Sequence, residues 1–344
     1  MPKDMEIFRQ EDLTELVQKY KSAGTPLMNM GLVPTTNISG KSKQWDEKTE
    51  LEDVGAFTGD NDPANVVDEE LLGNRSAKLI TSFDEDSFDG EELLQIRKAG
   101  SEEKETIENK VGEKMNRMSE IHARQDEMML SQGLSTGAFT AKIKNLTHSV
   151  SYGFNAANHF KIGGGGGNGT IPLSWGNSAA KVSADVEAII KIPREEAGRD
   201  LRGGTVLMGP GVKTALFQNE EVRELVGGTA AAATMAVTGE IPDLYGMRWK
   251  EVLHYFKHPI TGARTYHIGA GRCVFLPASD RSWAEFCRGT VAVMNSSGQM
   301  TLVQGAGAWS KDFDNPPKRV LYRRYRRLLI IKVSRAIATA QVLP

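Results

Sequence analysis

Five consecutive glycines within KIGGGGGNGT (161–170) could expose bare backbone amides to a phosphate group. A phosphate-binding loop needs a strand before it and a helix N-terminus after it, because the free amides and the dipole of that helix hold the anion. Here the glycines lead into Asn168-Gly-Thr-Ile-Pro172, which opens no helix, and no Gly-Lys-Ser/Thr follows. The sequence therefore predicts a connector without a ligand.

The second candidate for phosphate chemistry is GPGVKT (209–214), which is similar to a Walker motif. That motif requires glycine immediately before its lysine and again five residues earlier. This chain has Val212 and Leu207 at those two positions. Both required glycines are missing, so we predict no nucleotide site and no bound cofactor.

The acidic stretch 84–90, DEDSFDG, hints at a calcium loop, but no register supplies the ligands. A loop that starts at Asp84 places Phe88 at a ligand position. A loop that starts at Glu85 places Ile96 where the bidentate glutamate belongs. The stretch is therefore interpreted as a solvated acidic turn or a salt-bridging patch.

The remaining chemistry-bearing residues have no productive spacing. His254 and His258 are four residues apart, but Pro259 and strand-like flanks make a helical metal pair unsuitable. Cys273 and Cys287 are the only cysteines, which favours a reducing compartment and no disulfide framework. The sequence thus predicts neither a metal site nor an enzyme.

Charge is balanced overall but not along the chain. The net charge is −2, so no global attraction to nucleic acid or membrane is expected. Residues 46–110 contain 20 acidic and 7 basic residues, whereas 318–335 contain 8 basic and no acidic residues. These two blocks could pair between copies of the chain or within one fold.

The stretch YRRYRR (322–327) combines arginine with aromatic residues, which suits nucleic-acid binding. Ion pairing with the acidic surfaces of 46–110 is the interpretation we favour, because the whole chain is nearly neutral. No apolar run near 18 residues occurs, so the sequence predicts a protein that does not cross a membrane.

The elements around these residues begin with a helix at 7–22, followed by an extended arm to about residue 45. The acidic segment 46–92 is broken by glycine and proline, buries little on its own and is predicted to project. Ser101 then caps a long helix over 101–132, with glutamates in its first turn. We call this helix the spine.

The spine carries a narrow apolar stripe that is expected to pack onto a sheet. Its proposed packing residues are Ile107, Val111, Met115, Met118 and Ile121. The distal elements are predicted as two strands within 138–154, helices at 178–192, from 210 and at 229–236, strands at 205–208, 247–256, 264–268 and 272–276, and a final strand over 328–342. The final strand should return to the sheet beside the spine, because two strands alone make a thin sheet.

This order of parts resembles the tailed-phage major capsid protein family of the phage lambda type, the protein E family. The residues that carry the resemblance are the N-terminal arm, the acidic loop, FDEDSF (83–88), the spine and the closing strand. In the distal half, SADVEAIIKI (183–192), GGTVLMGPGVKTALFQNEEVREL (203–225) and LYGMRW (244–249) follow in the order of that family.

The resemblance implies an α+β major capsid fold. Its expected parts are an N-terminal arm at 1–45, an extended loop at 46–92, a peripheral domain at 93–200 that is completed by a strand at 328–344, and an axial domain at 201–327. It implies a shell subunit that assembles into hexamers and pentamers of an icosahedral head around double-stranded DNA. Such a protein would be made in the host cytoplasm and reside in the virion.

The partners implied are other copies of the chain, together with portal, scaffold and decoration proteins, and only weak non-specific contact with DNA. Oppositely charged residues are the candidates for contacts between subunits: Asp84, Glu85, Asp86, Asp89, Arg323, Arg324, Arg326 and Arg327. The arginines are expected to pair with carboxylates in 84–92 or in the first turn of the spine, because the guanidinium group engages carboxylates bidentately.

Two other classes of protein remain open from the sequence. A coiled-coil or scaffold-type interaction protein would explain the spine but not the glycine-rich α/β sequence after it. An enzyme with an unrecognised cofactor site would need strand–helix–strand units with glycine turns, and only 204–218 offers one.

Overall fold

The computed structural model describes residues 9–20, 22, 24–47, 73–89, 101–143, 146–227, 239–258, 261–278, 283–295, 298–314 and 317–344. The helices within these ranges are α1 (Gln10–Lys19), α2 (Pro26–Asn29), α3 (Ser101–Thr136), α4 (Val182–Ala197), α5 (Val212–Gln218) and α6 (Glu220–Val226). Short 3-10 turns occupy Ala156–Asn158 and Ser334–Ala336.

The strands in the first half of the chain are β1 (Thr35–Ile38), β2 (Ser42–Glu47), β3 (Gly73–Lys78), β4 (Ile80–Asp89), β5 (Ala138–Ile143), β6 (Leu146–Ser151), β7 (His159–Ile162) and β8 (Gly169–Ile171). Those in the second half are β9 (Thr205–Met208), β10 (Arg248–Glu251), β11 (Tyr255–Lys257), β12 (Arg264–Tyr266), β13 (Arg272–Leu276), β14 (Ala284–Met294), β15 (Met300–Gln304), β16 (Ala306–Asp314), β17 (Pro317–Ile331) and β18 (Ala338–Gln341).

The chain divides into two compact units, each assembled from three stretches of sequence. Unit 1 contains Met1–Lys43, Ser76–Met129 and Glu285–Ile330. Unit 2 contains Gln44–Arg75, Leu130–Ala284 and Ile331–Pro344. Residues on both sides of the predicted boundary at 200 and 201 therefore share one unit. The assignment of peripheral and axial domains stays a prediction.

Unit 1 is built on a six-stranded sheet in the order β1-β14-β17-β16, with β15 paired to β14 and β4 paired to β17. The core between this sheet and the helices consists of buried apolar side chains from α1, α3, β4, β16 and β17. They are Leu13, Val17, Phe88, Val111, Met115, Met118, Ala306, Ala308, Leu321 and Tyr325. The predicted packing of the spine onto a sheet is thus confirmed for Val111, Met115 and Met118.

The prediction is wrong for Ile121, which is 43 % exposed. Met118 and His122 of the same part of the helix are buried instead. Consecutive residues of an α-helix are about 100° apart around its axis, so Ile121 lies about 100° from His122, on the solvent side. Ile107 lies in the helix, but its side chain is outside the described residues.

Helix α1 is fixed to the edge of the same sheet by side-chain hydrogen bonds. The Thr14 hydroxyl donates to the carbonyl of Ala308 at 3.1 Å and accepts from the amide of Ala308 at 3.2 Å. The Gln18 amide donates to the carbonyls of Gln304 and Ala306 at 3.2 and 3.1 Å. The N-terminal helix therefore satisfies backbone groups of β16.

Unit 2 contains a mixed six-stranded sheet in the order β10-β9-β13-β18-β7-β8, together with the two-stranded pairs β5–β6 and β11–β12. Helices α4, α5 and α6 contribute to the apolar core of this unit. Within that core the buried indole of Trp175 donates to Asp185 at 2.8 Å. The Trp249 indole donates to the carbonyl of Leu244 at 3.0 Å, so both indole N–H groups are satisfied.

The five glycines connect β7 to β8, which pair in parallel, with Phe160 opposite Gly169. Parallel strands normally need a crossover of about a dozen residues, whereas this connection spans only 163–168. All five glycines, 163–167, have positive φ between 63° and 96°. A β-carbon at Gly164 would lie 2.3 Å from the hydroxyl of Thr170. The glycines are therefore explained by a left-handed backbone path that other residues adopt only at a cost.

The spine is four residues longer than predicted and ends at Thr136 instead of residue 132. The helix continues through Gly133, and the residue that ends it is Gly137, with φ of 67°. The amide of Gly137 donates to the carbonyl of Gly133 at 3.1 Å, as in a helix that ends with a left-handed glycine. At 1.5 Å per residue the spine is about 54 Å long.

The predicted final strand over 328–342 is wrong in both its start and its continuity. Strand β17 already begins at Pro317 and ends at Ile331, and β18 belongs to the sheet of unit 2. The break between them is fixed by tertiary hydrogen bonds, since the amides of Lys332 and Val333 donate to the carbonyl of Trp283 at 2.7 and 3.2 Å. A carbonyl distant in sequence thus interrupts a run that contains no glycine or proline.

Two further predictions need correction. The helix predicted at 178–192 instead spans Val182–Ala197, continues through Pro193 and ends at the left-handed Gly198. The loop expected over 46–92 contains β4, which is an integral strand of the unit 1 sheet and buries Phe88. The alternation of β4 places Phe88 against the spine core, so this part does not project. Residues 48–72 and the alanine-rich 229–236 lie outside the described residues.

Candidate functional site

The acidic strand β4 and the basic strand β17 pair with each other inside unit 1. The pairing is antiparallel, with Arg323 opposite Asp84 and Tyr322 opposite Glu85. Because side chains alternate along a strand, every second residue of each strand points to the spine. The residues on this face include Asp84, Arg323 and Arg327, which the sequence analysis proposed as contacts between subunits.

Arg327 is 1 % exposed and forms an ion pair with Asp126 in the middle of the spine. Its guanidinium also donates to the hydroxyl of Ser82 at 3.0 Å and to the side-chain carbonyl of Gln125. The Tyr325 hydroxyl donates to Asp126 at 3.0 Å. A buried charge is tolerated only when it is paired and hydrogen-bonded in this way.

Arg323 is 4 % exposed, and its guanidinium forms no ion pair within the part of the chain that the structure describes. Its guanidinium donates to the carbonyl of Met118 at 2.8 Å. Burial, followed by repulsion from Arg327, lowers the pKa of Arg323 to about 10. The negative charges of Asp126 and Asp84 oppose that shift. Because a pKa of about 10 is well above neutral pH, Arg323 remains charged there.

Asp84 contacts His122 of the spine, with 2.5 Å between its Oδ2 and the imidazole Nε2. Burial lowers the pKa of His122 to about 4, although the contact with Asp84 opposes the shift. Burial also acts to raise the pKa of Asp84, but the His122 bond and the charges of Arg323 and Arg327 outweigh it, and the pKa is lowered. At neutral pH the contact therefore joins a carboxylate to a neutral imidazole.

Among the other acidic candidates, Asp86 is half-buried like Asp84. Asp86 accepts a bond from Lys114 of the spine at 3.2 Å, and the same ammonium lies 4.3 Å from the ring centroid of Phe88. Glu85 is exposed on the opposite face of the sheet. The side chain of Asp89 is outside the described residues.

Arg324 and Arg326 lie on the face of the sheet opposite the spine. Arg324 donates to the carbonyl of Ala292 at 3.2 Å and lies 4.7 Å from the ring centroid of Phe83. Arg326 donates to the Thr81 hydroxyl at 3.0 Å and to the carbonyl of Thr290 at 2.7 Å. These two arginines therefore stabilise the strand pairing rather than forming a free basic patch.

Of the four arginines that were expected to pair with carboxylates, only Arg327 forms an ion pair among the described residues. Asp84 does lie opposite Arg323, yet the carboxylate that pairs with Arg327 is Asp126, not one in the first turn of the spine. Arg323 and Arg327 are buried within their own chain, which argues against contacts between subunits through these two residues, whereas the half-buried Asp84 stays a predicted contact. Sequence reasoning missed Asp126, although it follows His122 at the i+4 spacing of the buried face.

Two spine glutamates hold the N-terminal segment, and sequence reasoning missed both. Glu127 accepts the amides of Leu27 and Met28 at 2.6 and 3.0 Å. Glu120, seven residues earlier, accepts the hydroxyls of Tyr20 and Ser22 at 2.7 and 2.6 Å. Burial raises the pKa of Glu127 to about 7 despite its two backbone bonds. The first turn of α2 is thereby fixed to the spine.

Glu127 and His122 give opposite pH dependences to folding stability. The lowered pKa of His122 stabilises the fold above pH 6.5, and this contribution is lost as pH falls through 4. The raised pKa of Glu127 makes its contribution largest below pH 4.5 and loses it as pH rises through 7. Each contribution amounts to at most about 3 kcal/mol.

We expect the His122→Gln variant to gain stability relative to the unmodified protein as pH falls from 7 to 4.5. The Glu127→Gln variant should show the opposite trend, gaining relative stability as pH rises over the same range. Urea unfolding at several pH values measures both differences. Two variants with parallel pH profiles would contradict the assignment of these groups.

Lys213 of GPGVKT lies 3.6 Å from Glu251, an ion pair within unit 2. Across the described part of the chain, no group of three or more His, Cys, Asp or Glu side chains is placed to hold a metal ion. None of the helices in that part is both long and apolar enough to cross a membrane.

Solved structures with the same fold come from phages and prophages. A prophage protein of Escherichia coli CFT073, assigned as a capsid protein, has a TM-score of 0.62 and 13 % identity, covering 97 % of this chain and 99 % of its own. A phage-related protein of Bordetella bronchiseptica RB50 has a TM-score of 0.57 and 8 % identity, covering 97 % of both chains. A chain of the mature capsid of bacteriophage PhiM1 has a TM-score of 0.51 and 11 % identity, and the match covers 93 % of this chain and 87 % of that chain.

These likenesses define the class of the fold as that of tailed-phage capsid subunits. No curated protein sequence matches the chain. The profile of the family described as Phage major capsid protein E matches residues 9–310, nearly the whole chain. The chain belongs to that family, so it is a structural protein of the virion capsid and not an enzyme.

Proposed function

We propose that this capsid protein forms the hexamers and pentamers of an icosahedral head that encloses double-stranded DNA. Membership of the capsid family over residues 9–310 carries the proposal. Portal, scaffold and decoration proteins would complete such a head. Closed symmetry lets many modest contacts between identical subunits add up to a stable shell.

The placement of the basic stretch supports weak, non-specific contact with packaged DNA. Arg323 and Arg327 are buried against the spine, and Arg324 and Arg326 donate to backbone carbonyls of β14. Guanidinium groups that are buried or bonded to backbone in this way are poorly accessible to a DNA duplex and add little to the contacts with its phosphates on which DNA affinity depends.

We place the contacts between subunits on residues other than the buried arginines. Glu85 is exposed on the sheet face opposite the spine, and the acidic residues of 48–72 lie between β2 and β3. Exposed ion pairs contribute only about 0–1 kcal/mol each, which allows subunits to exchange during assembly.

Expression of the full chain alone tests self-assembly. We expect size-exclusion chromatography and negative-stain electron microscopy to show shells or capsomer rings, in a balance that depends on protein concentration and salt. A single small oligomer of constant size across both variables would contradict the proposal. A well-folded monomer at all concentrations would do the same.

A further inference from the structure

Unit 1 contains a cavity of about 490 Å³ between α1, the spine and the sheet. This volume lies within the range of small-molecule sites, about 300–1,000 Å³. Its lining includes Gln18, which is exposed, so the cavity reaches the surface. The deeper lining is polar and includes Arg288, Arg323, His122 and Asp126.

Two guanidinium groups in this lining have unused donors. The Nε atoms of Arg288 and Arg323 are buried and have no hydrogen-bond partner among the described residues. Among the described residues, the Arg323 guanidinium donates only to the carbonyl of Met118. A buried donor that is left unpaired is unfavourable, and two around one cavity indicate a missing acceptor.

The carboxylate in the lining does not supply that acceptor. Asp126 is already engaged by Arg327 and by the hydroxyl of Tyr325. His122, which also lines the cavity, is neutral at neutral pH and adds no charge of either sign. The cavity is therefore left with the positive charge of Arg288 and Arg323.

We propose that this cavity binds a small phosphate-bearing anion, held by the guanidinium groups of Arg288 and Arg323. Arginine suits this ligand because its planar donors match the oxygens of a phosphate group. Val17, Gln18 and Tyr20 also line the cavity, so the bound anion bridges the N-terminal segment to the spine and the sheet. The proposal concerns the folded subunit and does not depend on shell assembly.

Isothermal titration of the full chain with inorganic phosphate, in a chloride buffer at pH 7.5, tests the site. We expect one phosphate per chain in the unmodified protein. Arg288→Gln should weaken the affinity by about tenfold or more, since it removes one of two charged donors. Arg324→Gln is the matched control, because it removes an arginine from the opposite face of the same sheet, and its affinity should change less than about twofold.

A second variant protects the test against misfolding. Arg323→Lys keeps the buried charge but removes Nε, and should also weaken phosphate binding. Circular dichroism of each variant establishes that it is folded. Absence of phosphate binding by the unmodified protein, equal affinity in folded Arg288→Gln, or an equal loss in Arg324→Gln would each overturn the proposal. Binding of a single-stranded oligonucleotide without binding of phosphate would do so as well.

Discussion

Replacing Asp126 with alanine is expected to lower the free energy of unfolding by about 3–5 kcal/mol, because it leaves Arg327 charged and buried without a counter-ion. Arg327 is 1 % exposed and is enclosed by Ser82, Gln125 and the Tyr325 ring. The nearby charge of Arg323 adds repulsion. Urea unfolding of free subunits, followed by tryptophan fluorescence, measures the loss.

Glu85→Ala is the matched control for this variant, because it removes an exposed carboxylate from the opposite face of the same sheet. Its effect should stay within about 0.5 kcal/mol. The double variant Asp126→Ala with Arg327→Met should be more stable than Asp126→Ala alone, since an apolar side chain then replaces the unpaired charge. A loss below about 1 kcal/mol in Asp126→Ala would show that the ion pair is not needed for the fold.

Met115→Asp should have an effect of similar size, through burial of a charge under the spine. Met115 is 0 % exposed and packs in the core with Phe88 and Leu321. An unpaired carboxylate there costs several kcal/mol, which approaches the total stability of about 5–15 kcal/mol of a typical domain. We expect this variant to be insoluble or to unfold at much lower urea concentration.

Ile121→Asp is the matched control on the same helix, because Ile121 is exposed to solvent. It should remain soluble and change the free energy of unfolding by no more than about 1 kcal/mol. Met115→Leu, which conserves volume, should cost less than about 1.5 kcal/mol. Equal solubility of the Met115→Asp and Ile121→Asp variants would contradict the assignment of the buried face.

The sequence predicted those features that are set by local periodicity. The stripe of Val111, Met115 and Met118 repeats every three or four residues, so its face and its packing against a sheet could be inferred. Alternation likewise predicted the two strands within 138–154. Ile121 was placed wrongly because an apolar residue beside a stripe cannot be assigned to the core from spacing alone.

Features set by distant partners could not be predicted. The break after Ile331 depends on the carbonyl of Trp283, and nothing in the run from Leu328 to Val342 signals it. The pairing of Arg327 with Asp126 depends on how β4 and β17 lie beneath the spine. The half-buried Glu120 and the buried Glu127 have the sequence pattern of ordinary charged positions on an exposed helix, because their partners are the hydroxyls and amides of the N-terminal segment.

The composition of unit 1 from three separated stretches has a consequence for synthesis on the ribosome. The part of the spine that belongs to unit 1 ends at Met129, whereas β14, β16 and β17 are supplied mainly by the stretch 285–330. At about 5–20 residues per second, roughly 10–40 s pass before the ribosome has added the partners of the spine. During that interval the spine face that carries Met115 and Asp126 lacks the strands β14, β16 and β17. Unit 1 therefore cannot complete its core until the strands within 285–330 have been made.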